Sequence, residues 1–198
     1  MADKEILIFV EGPSDKVFLE VYLYFLEDLP IKNFKVQNIK GKDNLSKRLL
    51  EIEKYDKTLI IFDADKDYES NKKEILKVVS KTKQTISEEQ IFLFPNNQDD
   101  GDLETLLLEI AKHTKFLKCF EGYLECIKSK EYYKPIKNIR KNMLYAYLEV
   151  LGLENLTKTN IDVFDNESKI KNKHEENYRR LKEMIDFNQN LSFPLKIF

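Results

Sequence analysis

Apolar residues in the first half of the chain come in short unbroken runs. Ile6-Leu7-Ile8-Phe9-Val10 is one, Leu59-Ile60-Ile61-Phe62 behind Thr58 is another, and Ile91-Phe92-Leu93-Phe94 is a third. Runs of this length, rich in β-branched and aromatic residues, predict strands buried on both faces. Phe34 to Ile39 predicts one more strand, second in chain order. Between the strands, apolar residues recur at helical spacing. Val17, Phe18, Val21 and Phe25 follow Ser14, which is read as an N-cap. Leu45, Leu49, Leu50 and Ile52 follow a cap at Asp43 or Asn44. Ile75, Val78 and Val79 lie in a helix from about Glu69 to Ser80. Pro30 closes the first strand–helix unit, and Pro95 stops the last strand. This alternation predicts an α/β fold, a parallel sheet of about four strands with helices on both faces. Right-handed crossovers then bring every loop that follows a strand to one edge of the sheet.

From Leu103 the strand signal fades. Leu103 to Lys112, Phe116 to Ile127 and Ile136 to Leu151 predict helices, Thr157 to Ser168 is polar and irregular, and His174 to Phe187 predicts a last helix. Phe193-Pro194-Leu195 is expected to pack the tail back. The expected organisation is an α/β core over residues 1–112 and a helical C-terminal elaboration over 113–198, packed on the core as a single compact unit.

Composition narrows the function classes. A chain of 198 residues that is 42% hydrophobic and 12% aromatic can bury a core, so disorder is excluded. The net charge of −2 excludes a uniformly basic nucleic-acid coat but leaves room for a local basic patch. Lys134, Lys137, Arg140 and Lys141 form such a stretch. Lys137, Arg140 and Lys141 read either as the wet face of a helix or as a phosphate-facing set. Cys119 and Cys126 have neither disulfide-framework nor zinc spacing and are expected to be reduced and buried. His113 and His174 are too few and too far apart for imidazole-based zinc chemistry, and surface or structural roles are expected. Tyr132-Tyr133 is read as aromatic packing rather than base stacking. Charges interrupt every apolar run, so no membrane span or signal peptide is expected and the cytoplasm is the default location.

Candidate chemistry sits where two strands end. The first run is followed by Glu11-Gly12-Pro13-Ser14-Asp15 and the third strand by Asp63-Ala64-Asp65-Lys66-Asp67. Crowded carboxylates repel unless a cation holds them, and hard oxygen donors suit Mg²⁺ or Mn²⁺. If the first and third strands are neighbours, with the second outside the first, Glu11 converges with Asp63 and Asp65 at a topological switch point. Residues two apart on a strand share a face, so Asp63 and Asp65 are expected to aim at one point. Gly12 allows close approach of a ligand, and Asp15 is placed to bond backbone amides of that turn or to serve as a helix-start acid. The segment from Asn96 to Glu104 follows the fourth strand and reaches the same edge. Asp102 and Glu104 are therefore further ligand candidates, Glu104 alternatively being a first-turn helix acid. Asp67, Asp99 and Asp100 read as solvated loop charges.

Glu11-Gly12 after one buried strand and Asp63-Ala64-Asp65 after a later one resemble the TOPRIM domain of topoisomerases, primases, OLD-family nucleases and small RNA-maturation nucleases. The whole chain is similar to the compact, standalone TOPRIM-like proteins of bacteria and archaea, a family of unassigned function. Leu93-Phe94-Pro95-Asn96-Asn97, Asp102-Leu103-Glu104-Thr105-Leu106-Leu107 and the stretch from Lys141 to Leu148 add to the likeness. The resemblance implies that Glu11 acts in acid–base chemistry or as a ligand, and that Asp63 and Asp65 hold Mg²⁺. None of the ten tyrosines has a topoisomerase-like context, and the zinc-binding cysteines of a primase are missing.

The expected activity is metal-assisted hydrolysis of nucleic-acid phosphodiesters, on DNA or RNA, with a cation offsetting phosphate charge. Lys137, Arg140 and Lys141, or Lys40 or Lys42 beside Gly41, are placed to supply that cation. The alternative is a non-catalytic module that binds nucleotide or nucleic acid. Phosphotransfer to a small nucleotide ranks last, because the chain lacks a Gly-rich phosphate loop.

Overall fold

The computed structural model describes residues 5–25, 34–153, 179, 180, 183, 185 and 186. The expectations for Pro30, for 157–168, for the tail at 193–195 and for most of the helix over 174–187 lie outside these residues, as do those for the side chains of Val21 and Phe25. The described residues up to Leu106 form one compact unit and those from Leu107 a second. Among the described residues no helix is long and apolar enough to cross a membrane.

The first unit is built on four strands, β1 (Ile6–Val10), β2 (Phe34–Asn38), β3 (Lys57–Asp63) and β4 (Ile91–Phe94). All pair in parallel, in the order β2-β1-β3-β4. The central strands β1 and β3 bury Leu7 to Val10 and Leu59 to Phe62 almost completely. Their continuous apolar runs follow from having helices on both sides. On one face Leu7, Phe9, Ile60 and Phe62 pack with Ile52, Ile75 and Val79. These last belong to α2 (Leu49–Ile52) and α3 (Tyr68–Val79). On the other face Phe94 meets Phe18 of α1 (Pro13–Phe25) edge-on, with ring centroids 6.3 Å apart. This all-parallel α/β architecture is the one expected from the sequence, and it is consistent with a TOPRIM-like fold.

Two local expectations are corrected. Ser14 is not an N-cap, because α1 starts at Pro13, whose preset φ suits the first helical position. The single helix expected from Asp43 or Asn44 is instead a 3-10 segment over Lys42–Lys47 followed by the short α2, with Arg48 at φ −106 and ψ 3 between them. Leu45 and Ile52 are buried but Leu50 is 75% exposed, so the apolar positions do not share one helical face.

Three further helices follow, α4 (Leu103–Glu109), α5 (Thr114–Lys128) and α6 (Ile139–Val150). The apolar face expected of α4, Leu103, Leu106 and Leu107 with Ile110 just beyond, is buried. The cysteines are free but exposed, contrary to expectation. The inward stripe of α5 runs through Leu117 and buried Leu124, and a two-residue offset turns Cys119 and Cys126 about 200° away from it. Tyr132 is 89% exposed rather than packed, because it lies in the turn beyond α5, outside any apolar stripe.

Candidate functional site

Chain order reverses between β1 and β3, so the loops leaving these two strands face each other across a switch point. At the end of β1, Asp15 reaches back from the first turn of α1 and accepts the Gly12 amide at 2.7 Å, with its own side chain buried. This is half of a capping box, and it fixes the turn behind Glu11. The Glu11 carboxylate then spans three loops. Its Oε2 accepts the Asp63 amide at 3.3 Å, and its Oε1 lies 3.4 Å from the Lys42 amide. The expected strand adjacency and the meeting of Glu11 with the end of β3 are thus both present.

The two aspartates of Asp63-Ala64-Asp65 part company, contrary to the shared-face expectation. β3 ends at Asp63, and Asp65 sits in the left-handed region at φ 54, so the strand's two-residue alternation stops. Asp63 turns inward and accepts the Leu103 amide at 3.0 Å through Oδ1. Asp65 instead presents Oδ2 to the Lys42 ammonium at 2.6 Å. Its amide is held by the Gly101 carbonyl at 2.7 Å. Gly101 has φ 150, and a Cβ there would come within 2.9 Å of Pro95 Cδ, so a side chain is barred where this loop crosses β4. Asn71, which the sequence reading missed, links the loops. It accepts Lys42 Nζ at 2.9 Å and donates to the Ala64 carbonyl at 2.7 Å. Its one sequence signal is an Asn inside a helix, a position where that residue is intrinsically poor.

The remaining acids divide by role. Asp67, expected to be a solvated loop charge, is the N-cap of α3 and accepts the Ser70 amide at 2.9 Å. Asp100, given the same expectation, accepts the Tyr68 amide at 2.9 Å. Asp102 accepts both the amide and the hydroxyl of Thr105, at 2.8 and 2.5 Å, and so caps α4. Glu104 stands in the first turn of α4, and its charge acts on Asp63. Lys137, Arg140 and Lys141 belong to the second unit and are exposed, with Lys141 lying 5.6 Å from the Tyr145 ring centre.

Electrostatics single out Asp63. Burial and the charges of Asp15, Glu11 and Glu104, all negative, push its carboxyl up to about 9 from 3.8, against the Leu103 hydrogen bond. Burial also raises Glu11, with the Asp63 amide opposing and Asp65 adding repulsion. For Lys42, burial disfavours the charge, but the hydrogen bond and charge of Asp65, helped by Glu11 and Glu74, outweigh it and raise the ammonium's pKa. The donor chemistry here, partly buried hard oxygens repelling one another, fits a divalent cation. The arrangement itself is not a cage. Among the described residues no group of three or more His, Cys, Asp or Glu is disposed to hold a metal ion.

A family of proteins of unknown function, DUF3226, matches residues 5–187. The chain belongs to this family. No curated protein matches the chain. Among solved structures, the C-terminal region of the Burkholderia pseudomallei OLD protein is similar at 12% identity and a TM-score of 0.43, over 91% of this chain and 98% of that one.

Proposed function

We propose that this DUF3226 member is a metal-dependent phosphodiester hydrolase acting on nucleic acid, with its centre at Glu11, Asp63 and Asp65. The observation that carries the reading is the half-buried Asp63 at the end of a central strand, its amide held by Glu11 and its carboxyl raised by desolvation and by surrounding carboxylates. Perturbed, partly buried acids at a switch point mark a site where charge is expected to be managed by a ligand.

Asp63 and Asp65, with Glu11 and Glu104, are the residues that would hold Mg²⁺ or Mn²⁺. When bound, such an ion supplies charge stabilisation on a phosphate and lowers the pKa of a water. The chain's own groups do the rest. Glu11, whose carboxyl burial raises above its ordinary value, is the group placed to take and return a proton. Asp15 holds the Gly12 turn so that the Glu11 backbone stays in register. Lys42 is the cation of this loop cluster nearest to hand for a phosphate. Lys137, Arg140 and Lys141, on the second unit, are a further candidate phosphate-binding set.

A panel of single- and double-stranded DNA and RNA, incubated with Mg²⁺ or Mn²⁺, tests this. Cleavage is expected, and its loss in Asp63→Ala. One specific observation favours a non-catalytic binding module instead, the Lys42–Asp65 pair that occupies part of the acidic set. Retained oligonucleotide binding in Glu11→Gln, with no turnover by the parent, would establish that second reading.

A further inference from the structure

Lys42 and Asp65 lie at the centre of the loop cluster. The ammonium stands 2.6 Å from Asp65 Oδ2 and 2.9 Å from Asn71 Oδ1, and the Lys42 amide lies against Glu11. A positive group thus holds one of the two aspartates of the acidic motif. The other, Asp63, faces Leu103. With the pair divided in this way, no three carboxylates among the described residues converge on a point.

We propose that Lys42 is an internal cation that holds Asp65 out of the metal-binding arrangement, so that a divalent ion binds only by displacing it. The inference rests on the reading of Glu11, Asp63 and Asp65 as metal ligands, and it assigns Lys42 a positioning role through Asp65.

The pair is built to be displaced. The Asp65 side chain is 50% exposed, and exposed ion pairs of this kind are weak. A divalent ion brings twice the charge and prefers carboxylate oxygens at shorter range. Lys42 also has somewhere to go. A cleft of about 160 Å³ between the 3-10 segment and α3 is lined by Lys42, Asp43, Ser46, Asn71 and Glu74, and the Glu74 charge already acts on the ammonium. A phosphate arriving at the cluster would draw Lys42 off in the same way. Phosphate and metal would then assist each other's binding, and the assistance is reciprocal.

The test is titration of MnCl₂ into the metal-free protein, with free Mn²⁺ read by electron paramagnetic resonance. Wild type is compared with Lys42→Met, Lys42→Gln and Lys42→Arg, each first checked for fold by circular dichroism. Loss of a weak competing ion pair should tighten Mn²⁺ binding about 2- to 5-fold in Lys42→Met and Lys42→Gln. Lys42→Arg, which keeps the charge, should stay near wild type. In an Asp65→Asn background the gain from Lys42→Met should vanish, which separates displacement at Asp65 from a general change in charge. Equal or weaker binding by Lys42→Met and Lys42→Gln, with wild type still binding, overturns the proposal and leaves the metal reading intact. So does a gain that persists with Asp65→Asn. Failure of wild type and every variant to take up Mn²⁺ overturns both.

Discussion

The ends of β1 and β3 carry the same chemistry, a buried apolar strand giving way to acids, yet the acids are supplied with donors unequally. At the end of β1 the carboxylates are supplied with backbone amides. Asp15 holds Gly12, and Glu11 accepts from Asp63 and lies against Lys42. At the end of β3 the first acid, Asp63, is half-buried with one amide and three negative neighbours, while the next, Asp65, escapes through a left-handed turn to a lysine. Donors and burial therefore set how costly each charge is: Glu11 is raised, Asp63 is pushed up to about 9, and Asp63 marks the site to which a cation would bring most.

The strongest way to break this contrast is Asp63→Asn. The folded pKa of Asp63 lies above its unfolded value, so wild-type stability is intact below about pH 4 and declines as pH climbs toward 9. The substitution removes that loss. In EDTA at pH 8 it should stabilise the fold by on the order of a few kcal/mol, with the difference gone by pH 4. Urea unfolding at both pH values reads it, and a neutral or destabilising effect at pH 8 would mean that Asp63 is not strained.

Next in size is Gly101→Ala, at the carbonyl that holds the Asp65 amide. A Cβ at 2.9 Å from Pro95 Cδ and a φ of 150 should cost about 2 kcal/mol and loosen the loop beneath Asp65. Thermal melting gives the cost, and amide hydrogen exchange at Asp65 the loosening. Wild-type protection there would show that another contact holds the turn.

Asp15→Ala sharpens the comparison from the other side. It removes the acceptor of the Gly12 amide and should cost about 1–2 kcal/mol at pH 5. It also removes a charge that raises Asp63, so the cost should shrink as pH rises toward 9. A cost that does not vary with pH would uncouple the two strand ends. Asp67→Ala, smallest in effect, deletes the α3 cap for about 1 kcal/mol. It should leave the Asp63 titration, followed by carboxyl NMR, unmoved.

Much of the architecture was legible before any coordinates. The runs Ile6 to Val10, Leu59 to Phe62 and Ile91 to Phe94 are strands because a sheet covered on both faces leaves no side of a central strand for polar residues. Where burial is partial, the reading weakened. Leu45, Leu49, Leu50 and Ile52 suggested one helix, but the chain enters through Lys40 at φ 60 and Gly41 at φ 99 and breaks again at Arg48. Cys119 and Cys126 share the seven-residue spacing of Leu117 and Leu124, and spacing alone does not tell which stripe faces inward.

At the candidate site, the identity of the acids and their placement behind buried strands were determined by the sequence, because hydrophobic runs end where the chain must reach water. Their mutual arrangement was decided only in three dimensions. Asp65 takes a left-handed turn, Lys42 reaches it from the 3-10 segment, Lys42 in turn bonds Asn71 of α3, and Asp63 turns to the Leu103 amide. These depend on contacts between residues 23 to 40 positions apart, which local pattern does not encode. The pleat would aim Asp63 and Asp65 at one point only if the strand continued past Asp63. The tertiary bridge between Asp65 and Gly101 accompanies its end, and with it the fate of the second carboxylate.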